Sequence, residues 1–176
     1  RKGSDMSDKI KARELAPTLL AGGRPIGIVP TTFDDCYRLA QLLSQSTLVP
    51  KDYQGKDADC CVAIMQGLEL GLSPMAALGS IAVINGRASI WGDGALAVVR
   101  ASGLVESFSE TDENDTATCA IKRKGEAAPI VRTFSMEDAR KANLAGKSGP
   151  WTQYPRRMRQ MRARSWALRD GFADVL

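Results

Sequence analysis

The spacing of apolar side chains predicts a first helix over residues 31–46. Apolar residues recur there every three or four positions, as they do along the buried face of a helix. Thr32 is placed to cap the first turn, with Asp35 three residues further on. The face that we expect to enter the core carries Phe33, Cys36, Tyr37, Ala40 and Leu43.

A second helix is predicted over residues 57–72, and it closes at Gly71. Its expected core positions include Val62, Met65 and Leu72. Ser73 and Pro74 then begin a short third helix, because proline suits the first turn, where its missing N–H is not needed. These helices form the first block of an arrangement in which helices and strands are grouped along the chain.

The clearest local pattern lies at residues 81–91, where two apolar-rich runs flank the dipeptide Asn85-Gly86. That dipeptide supplies the two positive φ angles of a type I′ turn, so the pattern predicts a β-hairpin. Asp93 is then placed to cap a helix over residues 94–102, which Gly103 ends.

Three short strands are predicted next, at residues 104–109, 116–123 and 129–135. The acidic segment ETDEND between the first two is expected to be a solvated turn. Ser135 with Asp138 opens a further helix that ends near residues 144–146. We therefore predict an α+β fold, with a small antiparallel or mixed sheet and a β-hairpin packed by several helices, rather than repeating βαβ units.

The domain boundaries follow from composition. Glycine and proline are dense in residues 1–30, which predicts a flexible N-terminal arm, and residues 31–176 suffice for a single domain. No apolar run approaches the roughly 20 residues that a membrane span needs. With no signal-peptide pattern and four cysteines that lack a C-x-x-C pair, we expect a cytoplasmic protein with reduced thiols.

Several kinds of chemistry are excluded or disfavoured. Histidine is absent, which excludes Ser-His-Asp catalysis and histidine metal sites. The run AGKS at residues 145–148 lacks the upstream glycine of a phosphate-binding loop. ETDEND lacks the glycine and closing glutamate of a calcium loop. Asp93 and Glu106 are poor candidates for a catalytic pair. We therefore predict a protein that is not an enzyme and needs no nucleotide or other cofactor.

The charge of the chain is unevenly distributed. Residues 1–118 hold 11 Lys/Arg against 15 Asp/Glu, whereas residues 119–169 hold 13 against 3, a net charge of +10. Such asymmetry favours a polyanionic partner, nucleic acid above all, although a solvated basic face is the common alternative.

The basic charge is densest in a predicted helix that begins near Pro155 and carries six arginines by residue 169. At 100° per residue one stripe is expected to pack on the core, and the arginines are expected to cover the outer surface. No acid is available at i±3 or i±4 before Asp170, which favours an anion site over a purely structural helix. Arginine bonds phosphate bidentately, and Trp151 and Trp166 are candidates to stack on bases, with a core or docking role as the common alternative. The expected core stripe is Met158, Met161, Ser165, Leu168 and Phe172.

The segment GPWTQYPRRMRQMRAR, residues 149–164, resembles the motif of the phage RecT/Redβ family of single-strand DNA annealing proteins. The resemblance extends upstream through GLELGLSP, the Asn-Gly hairpin, Asp93-Gly94 and the strand ATCAIKRK. It covers roughly residues 57–172. The segment from tryptophan to the arginines is specific, and the other matches are individually weak but occur in the same order.

Carried onto this sequence, the resemblance implies that Arg156, Arg162 and Arg169 contact the DNA backbone. Arg157 and Trp151 match fixed motif letters, Lys124 and Arg123 match the basic end of a strand, and Arg159 and Arg164 fall where the family varies. The DNA-binding candidates are therefore Arg156, Arg162, Arg169, Arg157, Lys124, Arg123, Trp151, Arg159 and Arg164.

The resemblance also implies an ATP-independent recombinase encoded by a phage or prophage, which binds single-stranded DNA, forms an annealed duplex intermediate and assembles into rings or filaments. The partners so implied are a phage exonuclease and a host single-strand-binding protein. Family members usually continue past the position of Leu176 into a partner-binding tail, which we expect to be absent here. Two other classes stay open: a sequence-specific regulator that binds duplex DNA, and a module that binds an acidic protein.

Overall fold

A computed structural model of the chain describes residues 28–84 and 87–176. Most of the predicted N-terminal arm and the Asn85-Gly86 turn lie outside the described residues. The helices of the first half are α1 (Phe33–Ser44), α2 (Asp57–Glu69), α3 (Pro74–Ser80) and α4 (Asp93–Ala101), with a 3₁₀ turn at Lys51–Tyr53. The strands are β1 (Ile81–Ile84), β2 (Arg87–Ile90), β3 (Val105–Glu113), β4 (Thr116–Arg123) and β5 (Ile130–Ser135). The last helices are α5 (Met136–Lys141), α6 (Pro150–Gln153) and α7 (Pro155–Gly171).

The α+β fold class is confirmed. The described residues form seven α-helices, a two-stranded sheet β1-β2 and a three-stranded sheet in the order β3-β4-β5. All pairs of strands are antiparallel, so the sheets contain no parallel crossover. No single helix among these residues is long and apolar enough to cross a membrane, and α2 and α3, which reach that length only together, are bent by 106°.

Helices α1, α2 and α3 form a small core of their own around buried Cys36, Ala40, Cys60, Ile64, Ala77 and Leu78. The predicted caps are confirmed, since Thr32 Oγ1 accepts from the Asp35 backbone N–H at 3.1 Å and Ser73 Oγ from that of Ala76 at 3.4 Å. Helices α2 and α3 approach so closely at Gly67 that a Cβ there would lie 2.2 Å from the Cβ of Ala77. The α2–α3 corner therefore requires glycine at this position.

Part of the core predicted for α1 and α2 is wrong. Phe33 and Tyr37 are exposed and stack on each other with ring centroids 6.2 Å apart, and Val62 and Met65 are also exposed. α1 packs chiefly against α2 and therefore buries a narrower stripe than the pattern suggested. The buried stripe of α2 lies elsewhere than predicted, and its members are Cys60, Cys61, Ala63, Ile64 and Gly67. Cys36 and Ala40 were predicted correctly, and the predicted Leu43 and Leu72 are partly buried against this core.

The predicted β-hairpin is confirmed in its strands. Ile81 pairs with Ile90, and Ile84 pairs with Arg87, which leaves two residues for the turn. The hairpin is anchored at its open end, because the backbone N–H of Trp91 donates to the carbonyl oxygen of Ser80 at 3.0 Å.

The three-stranded sheet is larger than predicted. β3 continues through Glu113, and the turn to β4 is made only by Asn114 and Asp115, whose φ angles are 49° and 58°. The prediction that all of ETDEND is a solvated turn is therefore wrong. Alternation along β3 places Phe108, Glu110 and Asp112 on one half-buried face. The two acids pair there with buried arginines of α7.

Helix α7 packs across β4 and β5 and completes the main core. Leu168 in its C-terminal half and Phe172, the residue that follows the helix, are both almost fully buried. Trp151 in α6 is 8% exposed and packs against Phe134 at 6.0 Å between ring centroids. The Ser135–Asp138 capping box of α5 is confirmed, although that helix ends at Lys141, before the predicted residues 144–146.

Candidate nucleic-acid interface

The buried face of α7 differs from the predicted stripe. Leu168 and Phe172 are buried as expected, but Met158, Met161 and Ser165 are only half-buried. In their place, Arg159 and Arg164 are each 5% exposed. The helix therefore turns two of its arginines toward the sheet, and the prediction that arginines occupy only its outer surface is wrong for these two.

Arg164 is held by a carboxylate from the strand beneath it. Its Nε and Nη2 donate to the two carboxylate oxygens of Glu110 at 2.6 and 2.5 Å, and Nη1 donates to Asp93 at 2.5 Å. The hydrogen bonds to Glu110 raise the pKa of Arg164, and they outweigh the opposing effect of burial. The side chain of Glu110 is 11% exposed, so the pair is largely withdrawn from water.

Arg159 has a similar environment, with a partner acid two residues further along β3. It donates to both carboxylate oxygens of Asp112 at 3.2 and 2.8 Å, and it pairs with Asp115 at 3.0 Å. The acid partners that α7 lacks within its own sequence are therefore supplied by β3 and the following turn. These pairs reduce the repulsion expected among six like charges.

Asp93 does not cap α4 as predicted. Gly92 is the N-cap residue, with φ 60° and ψ −139°, and Asp93 is the first helical residue. Its carboxylate instead accepts from Arg157 Nη2, with 3.0 Å to each oxygen, and from Arg164 Nη1. The side chain of Asp93 nevertheless remains 70% exposed.

Besides Arg157, which pairs with Asp93, three arginines of α7 are exposed. The side chain of Arg156 is 78% exposed, with its nearest carboxylate at 3.8 Å. Arg169 is exposed and donates to the carbonyl oxygen of Ile90 at 3.0 Å. Arg162 is exposed and forms no ion pair within the described part of the chain.

Arg162 and Arg169 border a groove of about 500 Å³ between α7 and the end of the hairpin. Trp91 and Trp166 also line it and are 56% and 43% exposed. We call this concavity the tryptophan groove. The ring of Trp166 is held by an edge contact with Phe134 at 5.3 Å, so one stacking face is fixed in place by the core. The groove also includes Ile84, Ile90, Met158, Met161 and Leu168.

The groove combines two groups that bind single-stranded nucleic acids. Exposed tryptophan faces stack on bases of any sequence, and guanidinium groups bond phosphate oxygens. Trp91 was missed by the sequence analysis, although an aromatic residue at the end of a predicted hairpin strand, followed by glycine, was visible as a signal. Trp151, which was singled out as a base-stacking candidate, is instead a core residue.

The two basic candidates at the end of β4, Arg123 and Lys124, have different environments. Arg123 donates to both oxygens of Asp174 at 2.6 and 2.7 Å, donates to the carbonyl oxygen of Gly171 at 3.2 Å, and lies 5.4 Å from the ring centroid of Phe172. It therefore fastens the end of the chain to β4. Lys124 is exposed and lies one residue beyond the strand.

The four cysteines are buried and free. Burial raises the pKa of Cys119 to about 12, and burial together with Cys61 raises that of Cys36 to about 11, so both thiols stay protonated at neutral pH. Across residues 28–84 and 87–176, no group of three or more acidic or cysteine side chains is arranged to hold a metal ion.

Comparison with known protein families finds no family model that matches this chain, and no curated protein matches its sequence. The candidate interface is therefore defined by its own geometry: arginines and Trp166 of α7 line one groove with Trp91 at the end of the hairpin, and buried ion pairs fix the helix.

Proposed function

We propose that this protein binds single-stranded DNA and anneals complementary strands in ATP-independent homologous recombination. The observation that carries the proposal is the tryptophan groove, where Arg162, Arg169, Trp91 and Trp166 combine phosphate-binding and base-stacking groups. Annealing requires that phosphate repulsion be neutralised while the base edges stay free to pair. Contacts to phosphates and base faces meet that requirement, and they need no hydrolytic site.

The environment of Gln160 disfavours the alternative of a duplex-DNA regulator. A helix that reads a mixed sequence needs amide groups for adenine as well as arginines for guanine on its exposed face. Gln160 is the only amide side chain in α7, and both ends of its amide are engaged within the protein. Its Nε2 donates to Glu110 at 2.8 Å, and its Oε1 accepts from Arg157 at 2.9 Å. The exposed arginines can read guanine edges alone, so α7 lacks the mixed set of base-reading groups expected of a sequence-specific regulator.

The size of the groove favours assembly. Arg162 and Arg169 are seven residues apart, or about 10 Å along the helix, which corresponds to roughly three nucleotides at about 3.4 Å per nucleotide. One subunit therefore holds only a short stretch of a strand. We propose that several copies, in a ring or filament, align their grooves to cover a long strand. A phage exonuclease that produces single strands and a host single-strand-binding protein, in the cytoplasm of a bacterial host, are the partners proposed.

The test is a binding and annealing assay on the full chain. A fluorescent oligothymidylate is titrated at several salt concentrations, and complementary oligonucleotides are then added in sequence. We expect tight binding of the single strand, weaker binding of preformed duplex, and a log–log salt slope that grows by about −0.7 for each phosphate neutralised. A flat salt response, or preference for one duplex sequence, contradicts the proposal.

A further inference from the structure

We infer that Arg157 forms a phosphodiester-binding site whose place for the anion is occupied by the carboxylate of Asp93 in the DNA-free protein. The inference rests on the proposed function, because it concerns the same nucleic-acid backbone. Asp93 thereby acts as an internal competitor that the DNA strand must displace.

The geometry around Arg157 is that of a prepared anion site. Nη1 of Arg157 donates to Gln160 Oε1 at 2.9 Å, and Gln160 is itself held by Glu110 at 2.8 Å. The guanidinium group is thus oriented through Gln160 and a largely buried acid. Its Nη2 is directed at both oxygens of Asp93, at 3.0 Å each.

The carboxylate that fills this site, that of Asp93, is much more exposed to water than the carboxylate of Glu110 beneath it. The side chains of Asp93 and Arg157 are 70% and 45% exposed, whereas Glu110 beneath them is 11% exposed. Water weakens an exposed ion pair, so a phosphate oxygen can replace the carboxylate at small cost. Arg164 keeps Glu110 as its partner when Asp93 moves, so displacement leaves no buried charge unpaired.

Asp93 also lies on the path that a bound strand would take. Arg164 lines the tryptophan groove, and Arg157 lines a second concavity of about 500 Å³ at the start of α7. Asp93 bonds one arginine from each concavity, and its neighbours Trp91 and Gly92 line the groove. A strand that continues from the groove toward the start of α7 therefore meets this carboxylate.

The backbone fixes Asp93 in this position. Gly92 has a φ of 60° with a ψ of −139°, a conformation that side chains other than glycine disfavour. A Cβ at Gly94 would lie 2.5 Å from the Cβ of Ser80. Because the backbone is restricted at both Gly92 and Gly94, the position of Asp93 between them is well defined, and its carboxylate lies beside Arg157.

The experiment compares Asp93→Asn with the parent in oligothymidylate titrations at several salt concentrations. Because the strand displaces this carboxylate in the parent as well, the number of phosphate contacts and hence the log–log salt slope should stay the same. Binding should tighten by roughly 1.5- to 5-fold, the range expected when an exposed ion pair no longer has to be broken. Asp93→Glu, which keeps the charge, should bind much as the parent does.

The matched control is Glu137→Gln, which removes the same charge from a side chain that is also 70% exposed and paired, but with Lys141. A gain of equal size in this control, or no gain in folded Asp93→Asn, overturns the inference. Adding Arg157→Gln to Asp93→Asn should abolish the gain, and a gain that persists also overturns it. If Asp93→Asn does not fold, the affinity of Arg157→Gln for the oligothymidylate is the test. A loss of affinity much smaller than that of Arg162→Ala supports a pre-occupied site, and an equal loss contradicts it.

These outcomes separate the inference from the proposed function. Steep, salt-dependent binding by the parent with no gain in Asp93→Asn refutes only the role of Asp93. If neither protein binds single strands, both proposals fail. Binding by Asp93→Asn alone supports the competitor role directly.

Discussion

The inner and outer faces of α7 carry the same residue type in opposite roles. On the inner face, Arg159 and Arg164 are 5% exposed and bonded to carboxylates of β3. On the outer face, Arg162 and Arg169 are exposed and border the tryptophan groove. A dense arginine helix is therefore not one uniform basic surface. The inner arginines position the helix, and the outer ones are available to a ligand.

The largest effect is expected from breaking an inner pair. Arg164→Ala leaves the carboxylate of Glu110 largely buried without its main partner, and removing one member of a buried pair typically costs about 3–5 kcal/mol. Urea denaturation should therefore show a loss of that size in the free energy of unfolding. Arg162→Ala is the matched control on the outer face and should change it by no more than about 0.5 kcal/mol.

The double variant Arg164→Met with Glu110→Gln tests whether the lost stability comes from an unpaired buried charge. Replacing both charges avoids an unpaired buried ion, so much of the lost stability should return. If Arg164→Ala is as stable as the parent, the inner face is not the structural one, and the distinction between the two faces fails.

The next effect concerns the outer face and appears in binding rather than in stability. Arg162→Ala and Arg169→Ala should each weaken binding of an oligothymidylate and make the log–log salt slope less negative by about 0.7, because each removes one phosphate contact. Fluorescence titrations and melting curves on the same samples measure both properties.

Arg132→Ala is the control for this loss of charge, because Arg132 is exposed outside the groove and pairs with Asp170. It should leave the salt slope close to that of the parent. Parent-like binding and annealing by both groove variants would show that the outer face is only solvated.

The smallest effect is expected at Arg123 and Asp174, an ion pair that resembles the inner pairs in geometry but is open to water. The hydrogen bond from Arg123 lowers the pKa of Asp174. Its contribution to stability is therefore present above the ordinary pKa of aspartate, about 3.9, and is lost as the pH falls through the lowered value.

Melting temperatures of the parent and Asp174→Asn should therefore differ slightly near pH 6 and converge in acid. A difference that stays constant from pH 6 down to pH 2 would mean that the charge of Asp174 contributes nothing.

Much of the candidate site was visible in the sequence, and the limits have a physical origin. The outward positions of Arg156, Arg162 and Arg169 agree with the residues that the resemblance singled out. The burial of Arg159 and Arg164 did not follow from helical periodicity, because a stripe drawn from apolar residues cannot include arginines. Trp91 joins the site only because the hairpin ends beside α7, a contact about 70 residues distant along the chain.

The local elements are encoded by neighbouring residues. The caps at Thr32, Ser73 and Ser135 and the pairing of the hairpin strands depend on residues a few positions apart, so they are encoded locally. Which arginines of α7 are left without a carboxylate partner depends on the tertiary structure. Glu110 and Asp112 meet Arg164 and Arg159 from about 50 residues away, and only the folded chain brings these carboxylates within hydrogen-bonding distance. A charge that is unpaired along the sequence is therefore not necessarily unpaired in space.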